Sequence, residues 1–269
     1  MLGSQRQITD TQSIIVSMES NWNILNWNIR GINDREKWLA LNNKISDTKC
    51  DIICNQETKR EQFDQKYIHQ FCTRSFNKYD YLPSIGASGG IITIWKGALF
   101  QGETLFKNEF SLSIRFTSTQ SGEQWILTNI YGPCQLDKRI EFLNRFQDID
   151  MPCETKWIIM GDFNYIRYPS NRNREGGNFN DMMNFNDAIN RLALIEIPLK
   201  GKNYTWSNMQ DAPLLQKLDW YLHLKLGLEL FLKLGLYLLP DQFLIIPLAL
   251  YRLVHAYLGP RYSDLRIFG

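Results

Sequence analysis

The most constraining feature of the sequence is an apolar run that ends abruptly in polar residues, at positions 157–164 (WIIMGDFN). A continuous apolar run of this kind predicts a fully buried strand. Gly161 permits close approach of the backbone at the strand end, and Asp162 and Asn164, two residues apart, are predicted to project to the same side. A carboxylate and an amide at the exit of a rigid strand suit a hard cation with an anionic oxygen beside it. An ordinary turn is the alternative, because Asp and Asn are common turn residues.

Two further predicted strands end in the same way. Residues 22–31 (WNILNWNIRG) alternate apolar residues with asparagines and carry Asn28 near their end. Residues 51–59 (DIICNQETK) begin apolar and deliver Glu57 where the apolar run stops. Three such endings indicate a pattern, and they make a shared polar site more plausible than three unrelated turns.

The remaining elements predict an α/β fold. Asp34 is a plausible N-cap for a helix with Trp38, Leu41 and Ile45 on one face. Helical spacing returns at residues 136–150, through Ile140, and again at 181–192. Short strands, read as an antiparallel meander followed by two further strands, are predicted at 78–84, 90–96, 103–110, 112–119, 123–131, 195–198 and 204–207. Strands followed by helices, with hairpins between them, predict a four-layer sandwich of two packed mixed β-sheets flanked by helices.

Composition sets the size and the class. The chain has 269 residues, of which 44% are hydrophobic, enough for the core of one α/β domain. Its net charge of +2 means that any nucleic-acid surface must be a local patch. The polar, aperiodic residues 1–21 predict a loosely ordered leader, and residues 22–221 the domain itself. Five cysteines without CxxC pairing predict reduced, buried thiols in an intracellular protein and no zinc site.

An ordered set of motifs carries a resemblance to a known family. The motifs are WNIRG at 27–31, DIICNQET at 51–58, GGI at 89–91, NIYGP at 129–133, GDFN at 161–164, YTW at 204–206 and LD at 218–219. Together they resemble the endonuclease/exonuclease/phosphatase superfamily, and within it the apurinic-type endonuclease domain of plant non-LTR (LINE-type) retrotransposons. The resemblance covers residues 22–221. It implies a four-layer α/β sandwich, a magnesium-dependent DNA-nicking activity and an intracellular, for instance nuclear, place of action.

The resemblance also implies roles for individual residues. Glu57 is the expected metal-binding carboxylate, and Asn28 helps to hold that site. Magnesium, with manganese as an alternative, accepts one or two protein carboxylates besides water and phosphate oxygens. Asp162 is expected to position or deprotonate the attacking water, and Asn164 to stabilise charge on a non-bridging oxygen.

Five more residues complete the predicted site. Tyr131 is expected to reach the phosphate with its hydroxyl, and Asp219 resembles the aspartate that orients a catalytic histidine. Arg30, Arg167 and Trp206 are the predicted substrate contacts, with DNA as the partner.

The sequence departs from the family after Asp219. Family members carry a Ser-Asp-His segment whose histidine contacts the scissile phosphate, but no such segment exists here, and neither His223 nor His255 follows an aspartate. Residues 243–248 (FLIIPL) have possible codons that read Ser-Asp-His-Ser-Pro in another frame, and residues 223–227 and 262–268 give family-like peptides at the same offset. We therefore hypothesise a frameshift between Asp219 and His223, which makes residues 222–269 an out-of-frame tail.

The hypothesis has consequences for the product. The last strands of one sheet are expected to be lost or replaced, and the leucine alternation at residues 222–238 to mimic an edge strand. Lys225, Glu229 and Lys233 argue against a membrane span. A marginally stable, aggregation-prone and catalytically impaired nuclease is expected.

Two other functions remain open at this stage. One is a phosphatase or phosphodiesterase of the same superfamily that acts on a small phosphorylated substrate. The other is a non-catalytic nucleic-acid binder, with aromatic and cationic contacts from Trp95, Trp206, Arg167, Arg172 and Arg174. A plasmid-nicking assay beside an inositol-phosphate assay separates the first alternative from the nuclease.

Overall fold

The computed structural model describes residues 14–17, 22–86, 88–149, 156–224 and 235–238. The helices in these ranges are α1 (Arg35–Thr48), α2 (Gln65–Ile68), α3 (Leu136–Gln147) and α4 (Phe179–Arg191). The strands are β1 (Ile14–Ser17), β2 (Asn23–Asn28), β3 (Ile52–Gln56), β4 (Phe76–Leu82), β5 (Ile91–Lys96), β6 (Phe100–Asn108), β7 (Ser111–Ser118), β8 (Gln124–Tyr131), β9 (Trp157–Asp162), β10 (Leu194–Glu196), β11 (Leu199–Lys200), β12 (Trp206–Ser207), β13 (Leu215–Gln216), β14 (Asp219–Leu224) and β15 (Gly235–Leu238).

Most of the strands form two mixed sheets. One has the order β11-β15-β1-β2-β3-β5-β4 and the other β10-β14-β9-β8-β7-β6, while β12 and β13 form a separate hairpin. The pairs β2–β3 and β8–β9 are parallel, and most other pairs are antiparallel. The predicted meander is therefore divided: β4 and β5 belong to the first sheet, and β6 to β8 belong to the second.

Three apolar layers separate four layers of secondary structure. Ile24 and Ile52 of the first sheet pack with Ile158 and Met160 of the second, and this cluster fills the space between the sheets. A second cluster packs α1 on the outer face of the first sheet, and a third packs α3 and α4 on the outer face of the other. Strand residues alternate between these layers because successive side chains point to opposite faces. The predicted helix–sheet–sheet–helix sandwich is confirmed.

The helices largely follow their sequence signals. Asp34 caps α1, its Oδ1 accepting a hydrogen bond from the Lys37 backbone N–H at 2.8 Å. Helix α4 begins two residues before the predicted position because the Asn178 side chain accepts hydrogen bonds from its first turn. The predicted inward face of α3 was wrong at Ile140, which is 69% exposed. Phe142 is buried instead.

The two ends of the predicted domain need correction. Residues Ile14–Ser17, predicted to lie in a loosely ordered leader, form β1 and pair with β2, as their β-branched sequence favours. The described parts of the tail do not form an edge strand: β14 lies between β9 and β10, and β15 lies between β1 and β11. The rest of the predicted leader and tail lies outside the described residues. Within the described ranges, no helix combines the length and apolarity required to span a membrane.

Candidate active site

The predicted polar residues come together where the two sheets meet. Asn28 ends β2 beside Gln56 of the parallel strand β3, and Glu57 follows directly. Asp162 ends β9 in the opposite sheet. A cleft of about 350 Å³ lies between them. It is lined by Asn28, Arg30, Glu57, Cys134, Asp162, Asn164, Trp206, Ser207, Asn208 and Met209.

A short hydrogen bond joins the two sheets at the floor of the cleft. Asn28 Nδ2 donates to Asp162 Oδ2 at 2.6 Å, and the Asn164 backbone N–H donates to Asp162 Oδ1 at 3.0 Å. Burial raises the pKa of Asp162 to about 6, against the opposing effect of the Asn28 hydrogen bond. The carboxylate is therefore mainly ionised at neutral pH, yet basic enough to accept a proton from water.

Glu57 lines this cleft, whereas Tyr131 lines a second pocket. Glu57 has a left-handed backbone, with φ of 52°, and its carboxylate Oε1 lies 3.0 Å from Lys59 Nζ. The Tyr131 hydroxyl is hydrogen-bonded to the same carboxylate. Burial, followed by the negative charge of Glu57, raises the pKa of Tyr131 well above its usual value. The hydroxyl consequently keeps its proton and acts as a hydrogen-bond donor.

Asn164 is held by both its side chain and its backbone. Its backbone is left-handed, with φ of 55°, and its Nδ2 donates to the Gly132 carbonyl at 2.8 Å. Arg139 Nη1 donates to the Asn164 carbonyl at 2.9 Å, while Arg139 Nε lies 3.0 Å from Asp181 Oδ2. Sequence reasoning missed Arg139, because a basic residue in an amphipathic helix carries no signal of a partner 25 residues away.

Asp219 lies opposite Asp162 in the antiparallel pair of β14 and β9. Burial, followed by the charge of Asp162, raises the pKa of Asp219 well above its usual value. The Thr205 hydroxyl oxygen accepts the backbone N–H groups of Leu218 and Asp219 at 2.9 and 3.1 Å. Thr205 thereby fixes the start of β14 at the cleft.

Neither described histidine replaces the expected catalytic one. His223 pairs with Ile158, at the opposite end of β9 from Asp162. It lies four positions along the extended strand from Asp219, a span of roughly 13 Å. His69 caps α2, with its ring nitrogen 2.8 Å from Gln65 Nε2. His255 lies outside the described residues.

A layer of buried amides supports the site from below. Gln56 Nε2 donates to Asn26 Oδ1 at 2.7 Å and to Asn129 Oδ1 at 2.6 Å. Asn26 Nδ2 in turn donates to the Tyr221 hydroxyl at 2.8 Å. Asn26, Gln56, Asn129 and Tyr221 lie one or two positions from Asn28, Glu57, Tyr131 and Asp219, respectively. The layer therefore ties both sheets together directly beneath the cleft.

The predicted substrate contacts divide into two groups. Arg30 and Trp206 line the cleft. Arg167 does not, because its Nη1 pairs with Glu196 Oε2 at 2.8 Å and its Nε donates to Asn186 at 2.8 Å. These are the contacts of a packing residue, and we omit Arg167 from the proposed substrate-binding set.

Trp95 and Arg174, two of the residues invoked for a nucleic-acid binder, are engaged elsewhere in the fold. Trp95 is buried in the layer between the sheets, and Arg174 donates to the Ala212 carbonyl. Arg172 lies in the same loop and forms a β-bridge with Gln216. The prediction of buried thiols holds for Cys50, Cys54 and Cys72, but Cys134 is exposed in the cleft, and Cys153 lies outside the described residues.

The donor set fits a hard divalent cation better than a soft one. Among the described residues, no group of three or more His, Cys, Asp or Glu side chains is placed to hold a metal ion. The cleft instead offers carboxylate oxygens of Glu57 and Asp162 and the Asn28 amide. Magnesium binds through one or two carboxylates and otherwise keeps water or phosphate oxygens. Glu57, with 19% of its side chain exposed, is the accessible carboxylate.

Fold and cleft define a class: a two-sheet α/β sandwich whose polar site is built from strand ends of both sheets. Residues 25–213 match the model of the Endonuclease/Exonuclease/phosphatase family, and the chain belongs to this family. Members of this family are generally hydrolytic nucleases and phosphodiesterases. No curated protein sequence matches the chain.

Solved structures show the same fold. The AP endonuclease LMAP from Leishmania major superposes with a TM-score of 0.57 at 15% identity, over 84% of each chain. The endonuclease domain of TRAS1, a telomere-specific non-LTR retrotransposon, gives 0.54 at 12% identity, over 77% of this chain and 87% of that one. The Xenopus laevis APE2 catalytic domain gives 0.54 at 16% identity, over 77% and 83%.

Proposed function

We propose that this chain is a retrotransposon-derived DNA endonuclease that hydrolyses phosphodiester bonds with a divalent cation. The proposal is carried by the convergence of Asn28, Glu57, Asp162 and Asn164 from two different sheets on one cleft. The structural likeness to AP endonucleases and to a non-LTR retrotransposon endonuclease domain supports DNA as the substrate. The Tyr-Gly-Pro and Thr-Trp-Ser-Asn segments of the sequence favour the retrotransposon type.

Each residue has a task in the proposed reaction. A divalent cation held by Glu57 and Asn28 would neutralise charge on the scissile phosphate and the leaving oxygen. Asp162, held by two hydrogen bonds, orients and deprotonates the attacking water. Tyr131 and the remaining amide hydrogen of Asn164 donate to phosphate oxygens.

Arg30 and Trp206 are proposed to contact the substrate at the rim of the same cleft. Arg30 adds positive charge beside the carboxylates, where a DNA phosphate must approach. Trp206 offers an aromatic surface on which a base or sugar can pack. Arg30 follows β2 and Trp206 begins β12, and both residues line the cleft.

The proposed activity is impaired in the chain as it stands. The buried carboxylate of Asp219 adjoins Asp162, but neither described histidine reaches it. Loss of a catalytic acid or base costs about 100-fold to 10,000-fold in rate. A shifted reading frame after about Tyr221 accounts for the missing Ser-Asp-His segment. The gene sequence tests this explanation, because codons that cannot encode Ser-Asp-His in the alternative frame would refute it.

Nicking of supercoiled plasmid DNA tests the function. The full chain is expected to nick slowly with Mg²⁺ or Mn²⁺ and not with EDTA. The Glu57→Gln and Asp162→Asn variants are each expected to lose about 100-fold or more. Glu36→Gln is a matched control, because Glu36 lies exposed in the first turn of α1. Release of phosphate from an inositol phosphate without plasmid nicking would favour the phosphatase alternative instead.

A further inference from the structure

A lysine already pairs with the carboxylate that we propose as the metal ligand. Lys59 Nζ lies 3.0 Å from Glu57 Oε1, and the two side chains are 38% and 19% exposed. They lie two positions apart in the chain, at the point where β3 has ended. Glu57 lines the cleft, and the exposure of both side chains places the pair at the protein surface and not in the core.

The backbone of Lys59 is fixed while its head group is exposed. The Lys59 N–H donates to the Gly89 carbonyl at 2.9 Å, and Asn33 Nδ2 donates to the Lys59 carbonyl at 2.7 Å. Its φ of 52° is left-handed, a conformation that surrounding contacts must enforce. The aliphatic chain runs across Gly31, where an added Cβ would lie 3.6 Å from Lys59 Cδ. The Lys59 backbone is thus fixed, while its flexible side chain places the ammonium beside Glu57.

We propose that Lys59 is a built-in counter-ion that competes with the divalent cation for Glu57 and thereby sets the metal affinity of the cleft. This inference rests on the proposed function, because it requires Glu57 to be a metal ligand. An ammonium and a divalent cation cannot share the same carboxylate oxygen without strong repulsion. A partly exposed ion pair is weak, so Lys59 yields to the metal but raises the metal concentration that is needed.

Manganese titration of the full chain measures the competition without relying on catalysis. Free Mn²⁺ is followed by its electron paramagnetic resonance signal, and circular dichroism verifies that each variant is folded. Lys59→Met is compared with Lys66→Met, which removes the same charge from an exposed position of α2. Lys59→Arg keeps the charge, and Glu57→Gln identifies the site that is titrated.

The expected result is a dissociation constant for Mn²⁺ about twofold to fivefold lower in Lys59→Met, the range that a partly exposed ion pair provides. Lys66→Met and Lys59→Arg should remain close to the unmodified chain. An equal change of the dissociation constant in Lys59→Met and Lys66→Met, or no change in either, would overturn the role of Lys59. If the binding that remains is lost in Glu57→Gln, the proposed metal site itself is still supported. Absence of Glu57-dependent binding in every variant would overturn both proposals.

Discussion

The backbone is left-handed at four residues that line the cleft, and three of them lie at the ends of β2, β3 and β9. Arg30, Glu57 and Asn164 have φ values of 50°, 52° and 55°, in the left-handed region that side chains disfavour. Such conformations cost about 1–3 kcal/mol each and persist where surrounding contacts enforce them. Here they turn the chain sharply at the ends of β2, β3 and β9, so that side chains face the cleft instead of continuing the pleat.

Single residues were predictable where the sequence marks the end of a strand. Glu57 and Asp162 each follow an apolar run, and this pattern is visible without a structure. The same-side geometry of Asp162 and Asn164 was predicted for the wrong reason, because Asn164 lies beyond β9 in a left-handed turn. Contacts such as Arg139 with Asn164 depend on tertiary packing, which no local pattern encodes.

Gly161 offers a test at the scale of one residue. Its φ is 142°, and an added Cβ would collide with the Ile130 carbonyl of β8. Gly161→Ala should lower the free energy of unfolding by about 2–4 kcal/mol, as backbone strain and steric overlap add. Gly122→Ala is the control, because its φ of 70° is also left-handed but open space surrounds it. Urea unfolding that shows equal losses in both variants would contradict the predicted close packing.

The secondary elements are held in register by polar as well as apolar contacts. Strands β2, β3, β8 and β14 exchange hydrogen bonds through Asn26, Gln56, Asn129 and Tyr221. In the sequence these amides are only polar interruptions in apolar strands. Periodicity therefore predicts where the strands lie, but it does not predict which strands pair or which amides bond to each other. Periodicity also could not predict that the meander is divided between two sheets. Strands β5 and β6 are adjacent in sequence but lie in different sheets.

Gln56 provides the test for this layer. Gln56→Met keeps the side-chain length but leaves the Asn26 and Asn129 oxygens without their shared donor. A buried polar group without a partner costs about 1–3 kcal/mol, so a loss of at least that size in unfolding free energy is expected. The exposed Gln70→Met serves as the control. Thermal melts that coincide for the two variants would show that the layer adds no stability.

At the scale of the whole molecule, the cleft depends on how the two sheets face each other. Asn28 and Glu57 come from one sheet, and Asp162 and Asn164 come from the other. The hydrogen bond between Asn28 and Asp162 links the two sheets at the cleft. The sandwich was predictable from the order of strands and helices. Of the two histidines in the described part of the chain, neither lines the cleft.

Repair of the proposed frameshift is the prediction that involves the whole chain. A gene restored to the alternative frame after Tyr221 should encode Ser-Asp-His and nick plasmid DNA at least about 100-fold faster than the native chain. Replacing the restored histidine with alanine should return the rate to the native level. Equal rates for the repaired and native chains would refute the account of an impaired nuclease.

The most direct measurement is the anomalous scattering of Mn²⁺ in crystals of the full chain. The account predicts a peak in the cleft, about 2.1 Å from a carboxylate oxygen of Glu57 and in the space bordered by Asn28 and Asp162. Bound manganese elsewhere, with no density at Glu57, would contradict the assignment of this cleft as a metal-dependent nuclease site.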